Sequence, residues 1–200
     1  MKSAMDTQEL RIRQARPEDR DALRRMQAFS LRELGSRYYS RRQIEAFLTC
    51  VGTMDDFVID EGTYYLVEAE HGIAASGGWS RRRPNHANVP GMSVLGDPDV
   101  ATVRSIFVHP AFARRGLGRM LMNRIEDEVQ VAGYAEVELT ATLSGEPLCV
   151  ALGYEERGRI ALDLPGGMTF PGIVMGKRLV PMASASPADI VHEGIAAISG

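Results

Sequence analysis

The stretch VHPAFARRGLGRML, Val108–Leu121, sets two glycines two residues apart, among three arginines, at the start of an apolar helical repeat. Before it, ATVRSIFV (Ala101–Val108) is β-branched and apolar and reads as a strand. After it, Leu117, Leu121, Ile125 and Val129 recur every fourth residue, which predicts a helix to about Ala132 with Gly133 as its C-terminal cap. AEVELTAT (Ala135–Thr142) then alternates as a second strand. A strand, a crossover helix and a strand make a βαβ unit, so the two strands should be parallel. The first N–H groups of the helix have no partner inside it and face outward. Gly116 and Gly118 remove the Cβ atoms that would keep an anion away, and Arg114, Arg115 and Arg119 add positive charge. The stretch therefore reads as a pocket for a multiply charged phosphate ligand. It is no P-loop, since no Gly-Lys-Ser/Thr follows. It is no dinucleotide fingerprint, since Leu121 stands at the third glycine position. The bland alternative is a plain helix start with solvated arginines.

The rest of the chain frames this unit. Residues 1–8 are polar and patternless and read as a frayed tail. LRIRQA (Leu10–Ala15) predicts a strand. Pro17, followed by Glu18 and Asp19, opens a helix with Leu23, Met26, Ala28, Leu31 and Leu34 on its apolar face and Gly35 at its end. SRRQIEAFL predicts a second helix with Ser40 as N-cap. TYYLVEAE (Thr63–Glu70) and IAASGGWS (Ile73–Ser80) flank His71-Gly72 as a β-hairpin. Residues 81–100 read as a long loop. GEPLCVAL predicts a short helix closed by Gly153, and strands follow near Glu155–Leu164 and Ile173–Leu179, joined by the loop PGGMTFPG. Residues 181–200 are rich in Ala and Ser and read as a disordered tail. The expected organisation is one α/β domain over residues 9–180 between the tails 1–8 and 181–200.

Composition excludes several classes. The net charge is −3, so no global positive field marks a nucleic-acid binder. Of the 23 basic residues 21 are arginine, a skew that reads as composition rather than chemistry. Cys50 and Cys149 fit neither a metal site nor a disulfide framework. No apolar run is long enough for a membrane span and no secretory leader is visible. The expectation is a cytoplasmic protein with no metal, no nucleic-acid partner and no membrane partner. Arg41, Arg42 and Arg81–Arg83 leave open a nucleic-acid patch, although Trp79 alone lies nearby to stack bases.

VRSIFVHPAFARRGLGRMLMNRIEDEV, with GYAEVELTATLSGEPLCVALGYEE after it, resembles the GCN5-related N-acetyltransferase (GNAT) family, over roughly residues 9–180 and most strongly over 101–156. The resemblance implies a GNAT-like acyl-CoA acyltransferase fold, a mixed central sheet with splayed parallel strands flanked by helices. It implies acetyl-CoA as cosubstrate, its pyrophosphate held by the backbone of Arg114, Arg115, Gly116, Leu117, Gly118 and Arg119. The pantetheine arm would pair with Ile106, Phe107 and Val108, and a backbone N–H near Val108 would donate to the thioester oxygen. The implied reaction is direct attack by a primary amine, carried by a small molecule or a peptide, in a ternary complex. Dimers are common in this fold, which makes a homodimer an expectation by analogy.

The sequence departs from the family pattern at three positions. Ala113 stands where Gln or Arg is frequent, with Arg114 placed to compensate. Thr142 stands where Asn often ends the second strand. Cys149 stands where a Tyr usually protonates the departing thiolate. Cys149 is either a weak acid or a small buried apolar residue. Glu138 is the candidate base, although an alternating strand usually exposes such a residue to solvent. The rival reading is a non-catalytic or weakly catalytic acetyl-CoA or CoA-binding module of the same fold.

Overall fold

A computed structural model describes residues 10–70, 72–81 and 99–180. The chain runs β1 (Arg11–Gln14), a 3₁₀ turn at Pro17–Asp19, α1 (Arg20–Gly35), α2 (Arg41–Cys50), α3 (Phe57–Asp60), β2 (Tyr64–Ala69), β3 (Gly72–Ser80), β4 (Val100–Val108), a 3₁₀ turn at Pro110–Phe112, α4 (Leu117–Val131), β5 (Glu136–Thr142), α5 (Glu146–Ala151), β6 (Glu155–Leu164) and β7 (Met168–Arg178). The seven strands form one mixed sheet in the order β1-β2-β3-β4-β5-β7-β6. Among the described residues β4 and β5 are the one parallel pair, as the βαβ reading requires.

Alternation along β2 shows how the layers stack. Tyr64 and Leu66 pack with Leu23 of α1, whereas Tyr65 and Val67 pack with Leu117 and Leu121 of α4. Odd and even residues of a strand face opposite sides, so α1 and α4 cover opposite faces of the sheet. That is why Tyr64 to Val67 are large residues buried without a break. The largest core joins Met122, Ile125 and Val129 of α4 to Ala101 and Val103 of β4, Val137 and Leu139 of β5, and Ile173 and Met175 of β7. A further cluster seats α2 on the β6–β7 hairpin through Ile44, Phe47, Leu164 and Phe170.

Element boundaries follow local chemistry. Ser40 Oγ accepts from the Gln43 N–H (3.3 Å) while the Gln43 side chain accepts from the Ser40 N–H (2.9 Å), the reciprocal cap that starts α2. The expected loop PGGMTFPG is shorter than its composition suggests. Gly166 and Gly167, both with positive φ, make the turn, and β7 begins at Met168. Pro171 is tolerated in this strand because β5 pairs with β7 no further than Gly172, which leaves Pro171 a strand neighbour on one side only. His71, most of the expected 81–100 loop, and the tails 1–8 and 181–200 fall on or largely on residues outside those described.

Candidate active site

The site begins where the parallel pair comes apart. β4 pairs with β5 only from Val100–Thr102 against Glu136–Glu138. Beyond Thr102 the two strands diverge, and β5 continues alone along β7 to Thr142. Two features of β4 accompany the divergence. Ser105 has φ 50°, and between the pairs Arg104–Gly78 and Phe107–Ser76 β4 places two residues, Ser105 and Ile106, where β3 places one, Gly77. This is a β-bulge, which bends a strand and increases its twist. Divergence opens a groove of about 680 Å³ between the strands, bounded by the start of α4 at one end and by α1, α2 and the β6–β7 hairpin at the other.

A buried polar network fixes the bulge. The Tyr64 hydroxyl donates to the Ser105 carbonyl (2.8 Å) and accepts from Gln27 Nε2 (2.8 Å). Gln27 Nε2 also reaches Ser76 Oγ (3.2 Å), and Thr53 Oγ1 donates to Gln27 Oε1 (2.7 Å). Gln27, Tyr64 and Ser76 are wholly buried. Burial holds the Tyr64 hydroxyl far above the usual tyrosine range, so it stays a neutral donor. Beside it, Arg104 is buried on β4 and pairs with Asp55 at 3.1 Å. Burial pulls its guanidinium down to about 10, against the opposing pull of Asp55 and Glu61, and it remains charged at neutral pH.

The end of β4 carries the backbone groups that face the groove. The His109 N–H donates to the Ala74 carbonyl (2.8 Å). Antiparallel ladders alternate, so Phe107 turns its N–H and C=O toward Ser76 of β3, and Val108 turns its own pair away from β3. The Val108 carbonyl accepts from Ser30 Oγ (2.8 Å) of α1, and the Val108 N–H lies on the same side. Of the three residues expected to offer backbone groups, Val108 does so and Phe107 instead lends its side chain to the apolar cluster at the far end of the groove. Ile106 lines the groove from the bulge.

The start of α4 is open. Gly116 is the N-cap, with φ 86°, and Arg114 before it has φ 64°. The first intrahelical bond runs from the Met120 N–H to the Gly116 carbonyl (2.9 Å), leaving the N–H groups of Leu117, Gly118 and Arg119 without helical partners. The two glycines differ. A Cβ on Gly116 would meet no protein atom within 4 Å, whereas one on Gly118 would come within 2.8 Å of Leu148 Cδ2. Arg114 and Arg119 line the groove. Arg115 turns the other way, with its guanidinium 5.5 Å from the Phe112 ring centroid.

The remaining expected residues separate. Cys149 is buried in the main core while touching the groove wall. Burial pushes its thiol up to about 11, with a smaller push from Glu146. Thr142 lies on the rim, but its Oγ1 accepts from the Gly145 N–H (3.2 Å) at the start of α5 and lies 3.0 Å from Ser144 Oγ. Glu138 stands beside Thr102 on one side and Gly176 on the other, outside the groove lining. Gln27, Ser30, Tyr39, Tyr64, Asp55 and Arg104 escaped sequence reading. For Gln27 and Ser30 a signal existed, since both fall on the buried 23-26-27-30-31 face of α1, where a polar residue needs a buried partner. Tyr39 is a tie across the gap. Its hydroxyl donates to the Pro171 carbonyl (2.9 Å) and accepts from the Leu143 N–H (2.7 Å).

Comparison with known proteins agrees with this architecture. The model of the acetyltransferase (GNAT) family matches residues 22–150. No curated protein sequence matches the chain. Among solved structures, a GCN5-related N-acetyltransferase from Rhodopseudomonas palustris superimposes with a TM-score of 0.64 at 20% identity, covering 88% of this chain and 98% of that one. The PaiA N-acetyltransferase from Thermoplasma acidophilum, in complex with coenzyme A, gives 0.62 at 14% identity, covering 86% and 99%. A GNAT family acetyltransferase from Brucella melitensis, in complex with acetyl-CoA, gives 0.54 at 14% identity, covering 87% and 90%.

Proposed function

Since this chain belongs to the GNAT family of acetyltransferases, we propose that it is an N-acetyltransferase, moving an acetyl group from acetyl-CoA to a primary amine by direct attack in a ternary complex. The observation that carries this reading is the groove itself, where two parallel strands part beside an open helix N-terminus. The residues present suit the cosubstrate. The unpartnered N–H groups of Leu117, Gly118 and Arg119 and the charges of Arg114 and Arg119 suit a pyrophosphate. The Val108 N–H suits an amide of the pantetheine arm or the thioester oxygen, where negative charge develops during attack.

The proton chemistry is lean. A thiol held at about 11 gives up its proton to a thiolate of ordinary pKa, near 8.5, at a cost of about 3 kcal/mol. Cys149 is thus read as a wall of the groove, and the thiolate leaves without its help. Glu138 is off the groove and takes no part. Among the described residues lining the groove there is no His or Glu, and the carboxylate there is Asp55, held by Arg104. Deprotonation of the amine falls to water and to the apolar surroundings, which favour the neutral amine.

Calorimetric titration of acetyl-CoA and CoA into the protein tests the reading, with Arg114→Glu alongside. Micromolar binding, weakened at least about tenfold by the charge reversal, is expected. Absence of binding by the unaltered protein would remove the reading.

A further inference from the structure

The groove has a second end, and its chemistry is unlike the first. Opposite the phosphate-facing turn, its wall is made by the C-terminal parts of α1 and α2 and by the β6–β7 hairpin. Leu34, Tyr38, Phe47, Val51, Leu162 and Phe170 line it. Phe47 and Phe170 stack with centroids 4.3 Å apart, and Tyr39 stacks on the other side of Phe170 at 4.0 Å. Leu34 and Tyr38 are 36% and 49% exposed, large apolar surfaces left open to water at the mouth.

Among the described residues, charge is nearly absent there. Of the described residues lining the groove, Arg114 and Arg119 belong to the phosphate end, and the other charged pair is Arg104 with Asp55. That pair is neutral as a unit. A ligand bearing several ammonium groups needs several carboxylates to replace the water it loses. The described residues of the groove offer one, Asp55, already hydrogen-bonded to a guanidinium. A ligand with a single amine on an aromatic or branched apolar body loses little by entering and covers Leu34, Tyr38 and Phe47.

Resting on the acetyl-transfer reading, we infer that the acceptor is a singly charged primary amine carried on an apolar or aromatic body, and that polyamines and other polycations are excluded. Two sources share this chemistry, a free arylalkylamine and the N-terminus of a peptide that begins with a large apolar residue. The apolar end then has two roles. It selects the body, and by desolvating the ammonium it favours the neutral amine that attacks.

The test uses the full chain saturated with CoA for binding and supplied with acetyl-CoA for turnover. The probes are 2-phenylethylamine, a phenylalanine-headed tripeptide amide, and spermidine. Expected are binding of at least one aromatic probe to the CoA-loaded protein, and a kcat/KM for it about tenfold or more above that for spermidine. Which aromatic probe is preferred identifies the source. Leu34→Asp, at a half-exposed position outside the phosphate turn, should lower kcat/KM for the aromatic probe about tenfold and leave acetyl-CoA affinity within about twofold. Spermidine acetylated as well as the aromatic probes would overturn the inference, as would failure of both aromatic probes to bind the CoA-loaded protein. Failure of acetyl-CoA itself to bind is a different result and overturns the acetyltransferase reading beneath it.

Discussion

Gly116 and Gly118 look alike in RRGLGR, yet they are glycine for different reasons. Gly116 is required by its backbone, whose φ of 86° costs an L-residue roughly 1–2 kcal/mol. Gly118 sits in an ordinary helical turn and is required by its neighbour, since a Cβ there would press on Leu148 Cδ2. Leu148 ends in a flexible side chain that lines the groove and can give way only by moving. Gly116→Ala should therefore lower stability by about 1 kcal/mol or more in chemical denaturation. Gly118→Ala should cost less stability and weaken acetyl-CoA several-fold. If both variants lose stability equally and bind normally, the distinction is wrong. Cys149 makes a second residue-scale prediction. Its buried thiol, pushed up to about 11, is almost wholly protonated at pH 8, whereas Cys50 is exposed. Iodoacetamide at pH 8 should modify Cys50 first and leave Cys149 largely intact in the folded protein. Cys149→Ala should retain turnover within a few-fold. The sequence placed Cys149 opposite the usual acid but could not say how deep it lies, because depth depends on α5 packing against β5 and β7.

At the scale of elements, what was legible was whatever repeats locally. The strand, turn and helix around the glycines, the hairpin β2–β3 and the capped start of α2 all rest on neighbours in the chain. The bulge of β4 was not legible, because it is held by Tyr64, Gln27 and Thr53 from three other segments. Tyr64→Phe removes the donor to the Ser105 carbonyl and strands part of a buried network, which should cost roughly 1–3 kcal/mol. If that network sets the width of the groove, the same variant weakens acetyl-CoA binding as well, although Tyr64 does not line the groove. An unchanged affinity at reduced stability would restrict the network to folding. The junction of β1 and α1 gives a pH dependence. Arg13 binds Asp19 through two hydrogen bonds of 2.7 and 2.8 Å, and this holds the Asp19 carboxyl below the ordinary carboxylate range despite some burial. A lowered folded value stabilises the fold above the ordinary carboxylate pKa of about 4, and that contribution fades as pH falls through the folded value. The gap in urea midpoint between the unaltered protein and Asp19→Asn should be present at pH 7 and narrow toward pH 2.

For the whole molecule, the parting of β4 from β5 divides the sheet into two halves that share three paired positions at its centre, Val100–Thr102 with Glu136–Glu138. One half carries β1–β3 with β4, the other β5–β7, and α4 and the Tyr39 tie across β5 and β7 supplement the joint. The strand order could not be read from the chain, since β7 inserts between β5 and β6 and nothing in local periodicity specifies long-range antiparallel neighbours. The consequence of this architecture is that a ligand in the groove contacts both halves and should stabilise their union. A ligand present at about 100 times its Kd adds about 2.7 kcal/mol to unfolding, which for a domain of this size raises Tm by roughly 5–11 °C. Hydrogen exchange shows where that stabilisation resides. An arm paired along β4 protects the Val108 amide and slows exchange at the free end of β5 near Thr142. A ligand held by its phosphates alone protects Leu117, Gly118 and Arg119 and leaves both strands as they were. CoA against adenosine 3′,5′-bisphosphate separates these outcomes. CoA should protect both sets of amides, and the bisphosphate, which lacks the arm, should leave Val108 unprotected. Equal protection by the two ligands would mean that the gap between the strands is not where the arm lies.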